Sequence, residues 1–138
     1  MTPANGARRP DLAVVVPTFN ERDRLDALLE GIFNAVDKHR ITAQVIVVDD
    51  NSDDGTGERA EEWAARGRVR VVHRSAKLGL GSAVMDGFAV ADSDIVGVMD
   101  ADLSHPPELL PLLYTTLIGR ELDVVVASRY IPGAGTRH

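Results

Sequence analysis

Asp100 and Asp102, separated by one alanine, follow the apolar run Ile95–Met99. In extended chain, residues i and i+2 point the same way, so the two carboxylates face one point. Like charges held that close call for a cation, or for protonation of one of them. Hard oxygen donors suit Mg2+ or Mn2+, ions that commonly bridge protein carboxylates to substrate phosphates. A second acidic cluster, Asp49-Asp50-Asn51-Ser52-Asp53-Asp54-Gly55, follows the run Val45–Val48. Part of it makes a turn that caps the next helix at Asp53 or Asp54. A carboxylate beyond that need, at a strand end, accepts hydrogen bonds from a base or ribose. A third group is Pro17-Thr18-Phe19-Asn20-Glu21. Phe19 offers a stacking face and Glu21 an acceptor for base N–H groups; the duller reading is a helix N-terminal box with a buried aromatic. Arg129 follows a further apolar run, where a guanidinium either binds phosphate oxygens or pairs with a nearby Asp.

Alternating elements must position these groups. Leu12–Val16, Val45–Val48, Val69–Val72, Ile95–Met99 and Asp123–Ala127 read as buried strands. Between the first two, Leu25, Leu28, Leu29, Ile32, Phe33 and Val36 repeat at three and four residues, one face of a helix with Asn20 as its N-cap. Further helices are expected over about 56–65, 82–91 and from Pro106-Pro107 to about 118, proline suiting a first turn. The pattern β-α-β-α-β-α-β-α-β predicts an α/β, Rossmann-like, mostly parallel sheet with helices on both faces. Ligands of such sheets bind beyond the carboxyl ends of the strands, where every group named above falls. Residues 1–11 are polar and read as a flexible leader; residues 12–138 form one domain.

Other chemistries are excluded or disfavoured. With no cysteine, disulfides, thiolate metal sites and Cys nucleophiles are ruled out; the composition fits a cytoplasmic protein. His39, His73, His105 and His138 make no metal-ligand or triad spacing, and no serine sits in an elbow motif. The loop Leu78-Gly79-Leu80-Gly81-Ser82-Ala83-Val84 has G-x-G, but Val84 fills the place of the third small residue, and the loop follows the third strand. A dinucleotide oxidoreductase is therefore disfavoured. The glycines are read as aids to tight packing, with Lys77 available to a phosphate. The net charge of −6, with no basic run, argues against nucleic acid as a partner.

The segments VVVPTFNE, VIVVDDNSDDGT, KLGLGSAVMDGF, VMDADLSHPPELLP and VVASRYIPGAG, in this order over about residues 12–135, resemble family 2 glycosyltransferases of the GT-A fold. More narrowly, they resemble the polyprenyl-phosphate (dolichyl-phosphate) mannosyltransferases. That resemblance implies a metal-dependent hexosyltransferase moving mannose from GDP-mannose to a polyprenyl monophosphate, with inversion. It implies that Pro17, Phe19, Glu21, Val48 and Asp50 line the nucleoside pocket. Asp100, Ala101 and Asp102 would meet the diphosphate and an Mg2+ or Mn2+ ion, with Asp102 the main ligand and Ser104 a further one. Arg129 would hold the donor or acceptor phosphate, and Asp102 and Arg129 carry the catalytic roles. The resemblance also implies peripheral membrane contact at the cytoplasmic face, and a C-terminal acceptor part beyond this chain. Two rival readings are a family 2 enzyme using a UDP-sugar and a non-catalytic nucleotide-sugar-binding remnant.

Overall fold

Near-continuous runs of valine, isoleucine and leucine can be buried only if both faces of a sheet are covered. A computed structural model, which describes residues 9–104 and 106–125, shows how they are. Its elements in order are β1 (Leu12–Thr18), α1 (Arg22–Lys38), β2 (Ala43–Asp49), α2 (Thr56–Ala64), β3 (Val69–His73), α3 (Leu80–Ala89), β4 (Val96–Val98) and α4 (Leu109–Gly119). The four strands pair in parallel in the order β3-β2-β1-β4. Alternate residues of β1 and β2 enter two cores. Leu12, Val14, Val16, Val45 and Val47 pack with Leu25, Leu28, Ile32 and Val36 of α1, Trp63 of α2 and Leu110 of α4. Ala13, Val15, Ile46 and Val48 pack on the other face with Ala83 of α3.

This division follows from handedness. Right-handed crossovers from β1 to β2 and from β2 to β3 put α1 and α2 on one face. The chain then reverses direction from β3 to β4, so α3 must cross on the opposite face. The reversal creates a switch point between β1 and β4, where open α/β sheets bind ligands. Gly87 makes the crossing close: a Cβ there would lie 2.5 Å from Val15 Cγ1. Gly79 and Gly81, expected to aid packing, have nothing within 4 Å of such an atom. Gly79 is needed instead for its φ of +103° at the entry to α3.

Two expectations need correction. Asn20 is not the N-cap of α1. It has φ +55°, outside the extended backbone typical of an N-cap, and Glu21 takes the cap position without a side-chain cap bond. The Asn20 N–H donates to Ser52 Oγ (2.8 Å) and its Oδ1 accepts from Asp53 N (3.1 Å), joining the loops after β1 and β2. Asp54 serves both neighbouring helices, accepting from Thr56 N (3.0 Å) and from Arg22 N (3.2 Å). In addition, Asp123–Val125, the described part of the expected fifth strand, is not strand, and Val124 is 73 % exposed. No helix among the described residues is long and apolar enough to cross a membrane.

Candidate active site

The carboxyl ends of the four strands deliver the polar groups to one rim. Asp49 and Asp50, alike in sequence, do different work there. Asp49, 2 % exposed, accepts from the Thr18 hydroxyl (2.6 Å), the Ser52 hydroxyl (2.6 Å) and Ser52 N (2.9 Å). Its lone pairs go to the turn itself. Asp50 turns toward the loop after β3. Its Oδ2 accepts from Leu78 N (3.1 Å) and Gly79 N (3.3 Å). Its Oδ1 lies 2.7 Å from Arg74 Nε, an ion pair whose angle falls outside hydrogen-bond alignment. Arg74 is itself buried; Nη1 donates to Ser82 Oγ and Asp86 Oδ2 (both 2.9 Å), while Nη2 has no partner among the described residues. A buried charge is tolerated only when paired, and Arg74 thereby fixes the β3 loop to both Asp50 and α3. Sequence reading passed over Arg74; its signal was one charged residue directly after a buried strand.

At the β1 end, Phe19 is 38 % exposed and carries the Lys77 ammonium 4.3 Å above its ring centroid. Glu21 Oε2 accepts from Arg24 Nε (2.9 Å) and Nη2 (2.6 Å). Pro17 is half-buried, and Val48 is fully buried in the core beneath α3. At the β4 end, Ala101 packs into the α1-side core, leaving Asp100 and Asp102 exposed on either side of it. Leu103, at φ +62°, turns the chain so that Ser104 N reaches Asp102 Oδ1 (2.9 Å). Hydrogen bonds from the Ser104 hydroxyl and N–H, with the nearby charge of Arg24, hold the Asp102 carboxyl below its ordinary range. Arg24, also missed in the sequence, thus lies between Glu21 and the acidic turn. Pro107 seats that turn on α1: a Cβ on Gly31 would meet Pro107 Cγ at 2.8 Å. Arg129 lies outside the described residues.

No group of three or more His, Asp or Glu side chains among the described residues is placed to share a metal ion. Two carboxylates still fit Mg2+ or Mn2+, which takes one or two from protein and the rest of its shell from phosphate and water. Asp100, with no hydrogen bond or ion pair among the described residues, and Asp102, held by Ser104, are exposed carboxylates of the kind such an ion takes, though Ala101 and Asp102 lie in a turn and not in the extended chain expected. Beside them, an open apolar groove of about 530 Å³ runs between β4, α4 and residues 123–125, with Asp100 at its edge.

The profile described as Glycosyl transferase family 2 matches residues 13–138. The chain belongs to that family. Among its family 2 relatives, it is 42 % identical over 122 residues to a dolichol-phosphate mannosyltransferase of Pyrococcus furiosus, covering 88 % of this chain and 34 % of that protein. It is 38 % identical over 130 residues to a polyprenol monophosphomannose synthase of Mycolicibacterium smegmatis, covering 91 % and 47 %. It thus spans between about a third and a half of these relatives' length. A mannosyltransferase from Pyrobaculum calidifontis, solved with GDP-Man and Mn2+, superposes with a TM-score of 0.58 at 31 % identity, over 69 % of this chain and 28 % of that one. TarS of S. aureus, solved with UDP-GlcNAc, superposes at 0.69 over 93 % of this chain and 37 % of that one. At 22 % identity that match speaks for the fold alone, and the fold is GT-A.

Proposed function

We propose that this family 2 domain binds a nucleotide-sugar donor across the β1–β4 switch point and serves transfer of mannose from GDP-mannose to a polyprenyl monophosphate. The observation that carries the reading is the emergence of Asp100 and Asp102 at the end of β4, directly beside the Phe19–Glu21 loop at the end of β1. The names of the relatives, and the GDP-Man and Mn2+ in one solved neighbour, support the donor and the metal.

In this proposal Phe19 gives the base a stacking face, with Pro17, Glu21, Val48 and Asp50 around the nucleoside. Asp100 and Asp102 hold Mg2+ or Mn2+ against the diphosphate, and the Ala101 backbone lies between them. Ser104 keeps Asp102 ionised and oriented, and is a further candidate ligand. When bound, the ion supplies charge neutralisation as the sugar–diphosphate bond breaks. Arg24 balances the acidic turn from the α1 side, and Arg129 is assigned to donor or acceptor phosphate. A lipid monophosphate is already anionic at neutral pH, so these side chains need to place the acceptor rather than deprotonate it. In-line attack inverts the anomeric centre.

Calorimetric titration with GDP-mannose and UDP-glucose, with and without Mn2+, tests this on the chain and on Asp102→Ala. We expect Mn2+-dependent binding of GDP-mannose, weakened at least about tenfold in the variant, since one charge-assisted ligand is lost. A preference for UDP-glucose would discard the mannosyl assignment. No binding by a folded chain would discard the donor site.

A further inference from the structure

Lys77 is one of two lysines in the chain and sits on the loop after β3. A lysine beside a nucleotide site invites assignment to phosphate, and the sequence alone left it there. Its surroundings argue for the other end of the nucleotide. The ammonium rests 4.3 Å above the Phe19 ring, the face assigned above to the base, and makes no salt bridge among the described residues. The next two residues, Leu78 and Gly79, are tied through their N–H groups to Asp50 at the end of β2.

We propose that Lys77 reads the base of the nucleotide rather than its phosphates. The inference rests on the donor site proposed above. A base that stacks on Phe19 takes the place of the ammonium, which moves only to the edge of that base. A lysine ammonium offers three donors and no acceptor. It therefore favours a base whose edge presents acceptors, such as the O6 and N7 pair of guanine. Adenine sets an amino group against it at the same edge. In pyrimidines the same rule favours uracil, with an oxo group at position 4, over cytosine. Lys77 is thus a selector for oxo bases. Its contact with Phe19 keeps the ammonium at the stacking face until a base arrives; an exposed cation–π contact of about 0.5–1 kcal/mol is weak enough for a base to displace.

The test is a ratio in which the phosphate contribution cancels. Binding of GDP, IDP and ADP is measured on the chain and on Lys77→Met, which keeps the stem and removes the charge. IDP shares the O6 and N7 edge of guanine and lacks its 2-amino group. We expect GDP and IDP to bind wild type at least about tenfold better than ADP, since a bidentate base contact discriminates on that scale. Lys77→Met should lose most of that ratio and leave ADP affinity within about twofold, with a melting temperature lowered by no more than a few degrees because the side chain is exposed and its ring contact weak. Equal weakening of all three diphosphates would make Lys77 a phosphate ligand and overturn the inference. So would a variant that binds all three as wild type does. If wild type prefers UDP, the ratio of UDP to CDP replaces that of GDP to ADP. If wild type binds no nucleoside diphosphate, the donor site fails and the inference fails with it.

Discussion

Strand β1 has very different neighbours on its two sides. Toward β2 it pairs along all seven residues, and both strands are almost wholly buried. Toward β4 it pairs along three, and Val98 of β4 is 45 % exposed. The first side carries the cohesion of the sheet. The second leads into the two carboxylates proposed above to hold the metal. The comparison teaches that the acidic turn is held less by its own strand than by what lies beneath it: Ala101 and Met99 in the core, and Pro107 on Gly31.

That contrast predicts a gradient of mutational cost. Leu28→Ala, on the fully buried face of α1, is expected to cost about 2–5 kcal/mol, whereas Val98→Ala on β4 should stay within about 0.5 kcal/mol. Urea denaturation of both reads the difference; comparable losses would mean that the β4 side is as well packed as the other. A smaller effect is expected at Gly87→Ala, where the added methyl meets Val15 and costs about 1–3 kcal/mol by overpacking. Combining it with Val15→Ala should recover part of that loss, as a steric cause requires.

A pH-dependent effect concerns Asp26. It takes a bidentate pair of hydrogen bonds from Arg59 (2.7 and 2.9 Å) and a third from Trp63 Nε1 (2.9 Å), joining α1 to α2. These bonds, those of Arg59 first, hold its carboxyl below the ordinary value of 3.8. The folded state thus binds a proton less readily than the unfolded state. Its contribution is full above pH 3.8 and is lost as pH falls toward the folded-state value. Asp26→Asn should lower the melting temperature at pH 7, and the gap from wild type should close in acid. The Asp26 side chain is 40 % exposed, so added salt should also narrow the gap. A gap independent of pH would assign the contact to packing rather than charge.

The alternation of strands and helices, the apolar face of α1 and the placing of Asp100 and Asp102 beyond a strand were all legible in the residues, because hydrophobic period and strand-end position are local signals. The division of labour between Asp49 and Asp50 was not. Both are acidic residues at one strand end, and Thr18 at the end of the neighbouring β1 and the distant Arg74 separate them. Asn20 is a good N-cap by type, but its bonds to Ser52 and Asp53 hold it in a left-handed turn. Arg24 needed the fold to bring α1 beside the β4 turn. At Asp123–Val125, the described part of the expected fifth strand, apolar composition did not suffice to make strand.

The seat of Pro107 on Gly31 also bears on the order in which the molecule assembles. Contacts within β1, α1 and β2 join near neighbours in the chain and can form early, whereas this one closes a long loop and pays its entropy late. The acidic turn therefore sets onto a helix that is already solid. A refolding chain is expected to acquire its mature core first and the seating of this turn last.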